Sequence, residues 1–292
     1  MSYQPRRACV QHNIVLRGLR FHLYEWQGLG PPLILLHGWG DSGETYQFLV
    51  DELRSERRCL ALDMRGFGRS DWPQEGYWFP NYLADLDALL EHIAPNEPVD
   101  LVGHSMGGNV AMLYAGIRPE RVRRLINLEG FGLPRTDPKQ APRRYREWLD
   151  EVRAGPQAYA EHGSFARFEE LLRKRNPLTS PERIAFIASA WARETSSGRV
   201  VPRADPRHKW VNAVLYRREE AESCWRNITA PVLLIGGDQS EVAQRSGAPQ
   251  EFAEFVAMLR DVQVETVAGA GHMLHHEQPE KVAQHIEQFL AR

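Results

Sequence analysis

Short, mostly apolar runs recur along this chain, and each ends on a loop rich in glycine or charge. Leu33-Ile34-Leu35-Leu36 follows Pro31-Pro32 and runs into His37-Gly38-Trp39-Gly40. Cys59 to Asp63 leads into Asp63-Met64-Arg65-Gly66-Phe67-Gly68-Arg69-Ser70. Val99 to Val102, Arg124 to Leu128, Pro231 to Ile235 and residues 262–267 repeat the form. The intervals carry helical spacing, which predicts helices over 44–54, about 80–93, from Asn109 to Gly116, around 248–260 and from 279. Near the start, Val10 to Val15 and Leu19 to Trp26 flank the turn signal Arg17-Gly18 and predict a hairpin. An apolar run without alternation is a strand buried on both faces. Strands that alternate with helices build a mostly parallel central sheet with helices on both sides. The predicted fold class is therefore α/β.

The alternation stops at Gly130 and resumes at Pro231. Between Phe131 and Ile228 the pattern shows only helical periodicity and loops, with helices predicted over 142–153, 164–175 and 181–194. The expected organisation is a core of residues 1–130 and 229–292 with a helical cap, 131–228, inserted above the sheet's C-terminal edge. That insertion carries 19 Lys+Arg against 13 Asp+Glu, a net of +6 within a chain whose total is −2, which leaves −8 elsewhere. It also holds Trp148, Trp191, Trp210 and Trp225, four of the eight tryptophans. The arginines form either a positive lid or a solvated face paired with local acids, and the tryptophans line either a pocket or the insertion's own core.

Composition narrows the class. At 292 residues, with 42% hydrophobic and 25% charged positions, the chain can bury one large core in the manner of an ordinary globular protein. The net charge of −2 offers no footprint for nucleic acid. Cys9, Cys59 and Cys224 lie too far apart in sequence for a metal cluster or a disulfide framework. The first residues, Met-Ser-Tyr-Gln-Pro-Arg-Arg, lack the apolar core of a signal peptide. No apolar run approaches the roughly 18 residues of a membrane span. A cytoplasmic location is the expectation.

The chemistry concentrates at Gly103-His104-Ser105-Met106-Gly107, which follows the run from Val99 and precedes a helix. Gly-x-Ser-x-Gly in a strand, turn, helix setting marks a nucleophile elbow, with the serine hydroxyl exposed at the top of the sheet. A serine hydroxyl is not ionised near neutral pH and needs a base within hydrogen-bond reach. His272, in Ala268-Gly269-Ala270-Gly271-His272-Met273-Leu274, follows a strand and precedes the last helix, so its loop reaches the same sheet edge as Ser105. His275 and His276 fall further along, on the approach to Glu277-Gln278-Pro279. The imidazole in turn needs a carboxylate that fixes its tautomer. Two loops bring one to that edge. One carries Glu129, 24 residues beyond Ser105; the other is Gly236-Gly237-Asp238-Gln239-Ser240-Glu241.

His37-Gly38-Trp39, Asp63-x-Arg65-Gly66-x-Gly68-x-Ser70, Gly103-His104-Ser105-Met106-Gly107 and Gly271-His272, in that order, resemble the α/β-hydrolase superfamily in its capped, lipase- and esterase-like branch. The resemblance spans nearly the whole chain apart from the insertion. It implies an acid three residues after a glycine in the loop behind the penultimate core strand, and counted from Gly237 that place is held by Ser240. Some relatives carry the acid after the strand that follows the elbow, where Glu129 stands. A subset of small bacterial esterases looks similar in pairing an acid there with a serine at the usual site. The resemblance thus favours Glu129 as the acid with Ser240 as helper, and keeps Asp238 and then Glu241 as alternatives.

The same resemblance implies an oxyanion hole made by the backbone N–H groups of Met106 and Trp39, with the Trp39 ring shaping the acyl pocket. His37 then orders its loop, and Asp63 ends a strand above a tight turn. A serine at the elbow sets the chain apart from the dehalogenase and epoxide hydrolase branches, whose nucleophile is aspartate. No His or Asp/Glu pair beside the elbow has metal-ligand spacing, and no dinucleotide fingerprint follows the first strand, so neither a metal nor another cofactor is expected. The expected activity is that of a carboxylesterase acting, through an acyl-enzyme, on small-molecule esters with short to medium acyl or aromatic groups. The alternatives are a carbon–carbon bond hydrolase or acyltransferase on the same triad, or a ligand-binding member of the fold without turnover. No nucleic acid or membrane span is expected among its partners.

Overall fold

A computed structural model describes residues 3–241 and 249–292. Its first strands, β1 (Val10–Leu16) and β2 (Leu19–Trp26), pair antiparallel through a turn in which Arg17 and Gly18 both take positive φ. There follow β3 (Leu29–Leu36), α1 (Gln47–Glu52) after a 3-10 turn at Gly43–Tyr46, β4 (Arg57–Leu62) and α2 (Phe79–Ile93). Next come β5 (Val99–His104), α3 (Met106–Ile117) and β6 (Val122–Leu128). The segment between β6 and the next strand of the main sheet holds α4 (Ala141–Ala154), α5 (Phe165–Arg175), α6 (Pro181–Trp191), β7 (Ala192–Glu194), β8 (Val200–Pro202) and α7 (Arg218–Arg226). The chain then completes the sheet with β9 (Val232–Gly237), α8 (Pro249–Ala257) and β10 (Val262–Val267), and ends in α9 (Leu274–Glu277) and α10 (Pro279–Leu290). Residue 248, where the last helix before β10 was expected to begin, lies outside the described residues.

The sheet runs β1-β2-β4-β3-β5-β6-β9-β10, antiparallel only at β1–β2 and β2–β4. Its apolar runs are buried on both faces because alternate side chains enter different cores. Ile34, Leu36, Val232 and Leu234 pack on one side with α2 and α3, while Leu33, Leu35, Leu233 and Ile235 pack on the other with α1 and α10. From β3 the chain steps to β4 on one side and then returns to β5 on the other. That reversal makes the C-terminal ends of β3 and β5 the topological switch point, where a crevice opens in sheets of this kind.

The insertion departs from the expectation of helices and loops alone. The helix expected over 181–194 stops at Trp191, because Ala192 turns extended (φ −131°) and Ala192–Glu194 pairs antiparallel with Val200–Pro202. The β-branched Val200 and Val201 suit the partner strand, and Gly198 with φ +76° supplies the bend. Phe168, Leu172, Ile184, Ile187, Ala188, Ala192 and Val200 form a small core of their own, closed from below by Phe48. Strand β3 also begins earlier than its apolar run, at Leu29, with a shift in register before Leu33, where Pro31 and Pro32 cannot donate to a ladder. Helix α7 packs directly on α3, and its Trp225 is fully buried against Phe255 in the main core.

Candidate active site

Ser105 follows β5 with φ +50° and ψ −112°, a conformation that non-glycine residues rarely take. The bend is forced by close approach on both sides. A Cβ at Gly103 would sit 2.4 Å from the carbonyl oxygen of Gly107, and one at Gly107 would sit 2.1 Å from that of Leu36. The Ser105 N–H donates to Leu128 O at 2.8 Å, so the elbow is pinned to the end of β6. Met106 opens α3, where an N–H has no intrahelical acceptor. The Gly38–Trp39 turn after β3 runs beside the elbow, since a Cβ on Gly38 would lie 3.3 Å from Ser105 Cβ. The Trp39 ring is half exposed and meets Phe67 edge-on.

Glu129 follows β6 in the left-handed region (φ +59°). Its place is set by Asn127, whose side chain donates to Gly130 O at 2.6 Å and accepts from Gly130 N at 2.9 Å, closing the turn around it. The Glu129 N–H donates to Ile235 O, which ties this turn to β9. The carboxylate is buried and accepts from Gly237 N at 2.8 Å on Oε1 and from Ser240 Oγ at 2.6 Å on Oε2.

His272 arrives from β10 on a loop whose polar groups are held at several points. Asp238 Oδ1 accepts from Gly269 N and Ala270 N, Glu277 accepts from Gly271 N, and His104 Nε2–H donates to His272 O at 2.8 Å. Burial, then the charges of His275 and His272, push His104 well below the usual imidazole range, so it stays neutral and keeps this donor. With the loop so fixed, His272 Nδ1 stands 3.3 Å from Glu129 Oε2 and its Nε2 stands 3.1 Å from Ser105 Oγ. A carboxylate accepts only, so Nδ1 carries the proton and Nε2 is free to accept from the serine hydroxyl.

Of the sites read from sequence, the structure therefore brings Ser105, His272, Glu129 and Ser240 into one hydrogen-bonded row along the sheet edge. Asp238 belongs to a different task, capping the 269–270 turn, and Glu241 is exposed. The sequence reading missed the contribution of His104, Asn127 and Glu277. His104 lies inside the elbow motif, but nothing local signals that its partner is a carbonyl 168 residues away.

The sequence model of the alpha/beta hydrolase fold matches residues 31–279. The chain belongs to that family. A 2-hydroxymuconate semialdehyde hydrolase from Pseudomonas sp. strain CF600 is 28% identical, with 97% of this chain and 94% of the relative covered. A cis-3-alkyl-4-alkyloxetan-2-one decarboxylase from Shewanella oneidensis is 27% identical over 96% of this chain and 88% of its own. Among solved structures, a hypothetical protein from Pseudomonas aeruginosa PAO1 superposes with a TM-score of 0.85 at 25% identity, covering 97% of this chain and 99% of that one. Members of this family similar to the chain thus carry out more than one reaction. No described helix is long and apolar enough to cross a membrane.

Proposed function

We propose that the chain is a serine hydrolase that cleaves carboxylic esters of small molecules through an acyl-enzyme. The observation that carries this reading is the continuous row Ser105–His272–Glu129, with hydrogen-bond separations of 3.1 and 3.3 Å. Ser105 Oγ attacks the acyl carbon and passes its proton to His272 Nε2, while Glu129 holds the Nδ1 proton and stabilises the imidazolium. The oxyanion faces the N–H groups of Met106 and Trp39, each such donor contributing about 3 kcal/mol to the transition state. Collapse releases the alcohol, protonated by His272, and leaves the acyl group on Ser105. Water deprotonated by the same imidazole attacks the ester, and the acid departs with Ser105 restored. Residues 131–228 form a cap over this edge and select the acyl group.

The test is labelling of the intact protein with a fluorophosphonate, together with hydrolysis of p-nitrophenyl esters graded by acyl length. The expected result is one adduct, mapped to Ser105, with turnover abolished in step. An unlabelled, fully folded protein would favour a ligand-binding role and remove the mechanism. A second reading, carbon–carbon bond hydrolysis on the same residues, draws support from the similarity to the 2-hydroxymuconate semialdehyde hydrolase. Product analysis on a vinylogous diketone acid separates the two.

A further inference from the structure

Behind the site, three ligating side chains converge from distant parts of the sequence. Asp41 lies in the turn after β3, and His275 and His276 lie on α9, 234 residues later. All three are at most 2% exposed. Asp41 Oδ2 is 3.3 Å from His275 Nε2 and 3.3 Å from His276 Nε2, and the three ligand atoms lie within 4.8 Å of one another. In a tetrahedral zinc site with bonds of about 2.0–2.1 Å, neighbouring ligand atoms stand about 3.3 Å apart. The Asp41 distances therefore match the edges of such a tetrahedron.

Two further features set this cluster apart from an ordinary buried ion pair. His276 Nε2 points at Asp41 without hydrogen-bond geometry and has no other partner among the described residues, an arrangement that is costly for a buried polar atom. The other oxygen, Asp41 Oδ1, is meanwhile fully engaged by Ser42 N at 2.8 Å, Thr45 Oγ1 at 2.8 Å and Trp191 Nε1 at 2.7 Å. That network fixes the carboxylate and leaves Oδ2 aimed at the two imidazoles, as outer hydrogen bonds orient a metal-binding carboxylate.

We propose that Asp41, His275 and His276 form a buried site for a zinc-class divalent transition metal ion, with a water molecule as fourth ligand. Such an ion takes the ionised carboxylate and the neutral imidazoles as its ligands, releasing any proton they carry. Helix α6 is bonded to both halves of the cluster, since its Trp191 donates to Asp41 and its Arg183 donates to His276 O and Glu277 O at 3.3 Å. The site does not depend on the hydrolase mechanism, although His275 lies three residues beyond His272 and its ring lies tilted against that of His104 at 4.3 Å.

The test uses the full, tag-free chain, stripped with a chelator and titrated with Zn2+. One equivalent is expected, with a rise in melting temperature, and H276Q is expected to bind at least tenfold more weakly. Crystals soaked in zinc should show an anomalous peak at the zinc edge between Asp41 and the two imidazoles. This map needs no variant and stands if H276Q does not fold. A map without a peak there overturns the proposal, whether zinc is absent or sits only at the Ser105–His272 pair. A folded H276Q with undiminished affinity overturns it equally.

Discussion

The hydroxyl of Ser240 donates to the carboxylate of Glu129 at 2.6 Å, joining the loop after β9 to the loop after β6. Ser240 holds the place where the resemblance called for an acid, and Glu129, the carboxylate facing His272, sits one strand nearer the elbow. The longer glutamate side chain, launched from a left-handed residue, reaches the imidazole nitrogen that an aspartate beyond β9 would otherwise meet. Glu129→Gln should lower kcat about 10³- to 10⁴-fold, because a neutral amide neither fixes the tautomer nor stabilises the imidazolium. Asp238→Asn keeps an acceptor for Gly269 N and should change kcat less than about tenfold. Ester hydrolysis by the two variants, with matched melting curves, checks the assignment; equal losses would sink it.

Ser240→Ala tests the same pair from the other side. A hydrogen bond to a charged group is worth about 1.5–3 kcal/mol, shared here between folding and turnover. The variant should lose a few degrees of melting temperature and about tenfold in kcat, and Ser240→Thr should restore much of both. Combined with Glu129→Gln, the alanine should add little, since its partner charge has already gone. Additive losses in that double-mutant cycle would contradict a role through Glu129.

Gly107→Ala should be among the most damaging single methyl additions in the chain. The new Cβ would stand 2.1 Å from Leu36 O and 2.6 Å from His37 O, and both are backbone atoms of the central strand and its exit. Neither can move without displacing β3, so the cost should be at least about 3 kcal/mol. Denaturant titration checks this, with Gly155→Ala, which meets nothing nearby but holds a positive φ, as a milder comparison.

These predictions rest on features that were unevenly legible in the sequence. The strands of the core declared themselves because burial on both faces demands an unbroken apolar run, as at Leu33–Leu36 and Val232–Ile235. The elbow did so because the crowding at Gly103 and Gly107 permits nothing larger. The choice between Glu129 and Asp238 was open from local pattern alone, since it depends on which loop the Asn127–Gly130 turn and the 269–270 turn recruit. The β7–β8 pair escaped because strands of three residues carry too little alternation to register. Asp41 and His275–His276 were beyond reach, because a convergence across 234 residues has no local signature.

His208 makes the insertion's grip on the core sensitive to acid. Its ring is sandwiched between Phe67 at 3.8 Å and Tyr77 at 3.5 Å, beside the hydrogen bond from Tyr77 to Asp205 and the bond from Asp205 N to Gly66 O. Burial pushes the His208 imidazole down to about 3, against about 6.5 for an unfolded histidine. Between those values the unfolded chain takes up a proton that the folded chain refuses. Stability from this residue is thus fully present above pH 6.5 and is lost progressively as pH falls towards 3. His208→Phe keeps the stack and cannot titrate, so its unfolding free energy should fall less steeply than the wild type's over that window. The two proteins should remain closely similar above pH 7. Urea titrations at half-unit steps of pH measure both curves. Parallel slopes between pH 6 and 4 would overturn the claim that the folded chain keeps His208 unprotonated over that window.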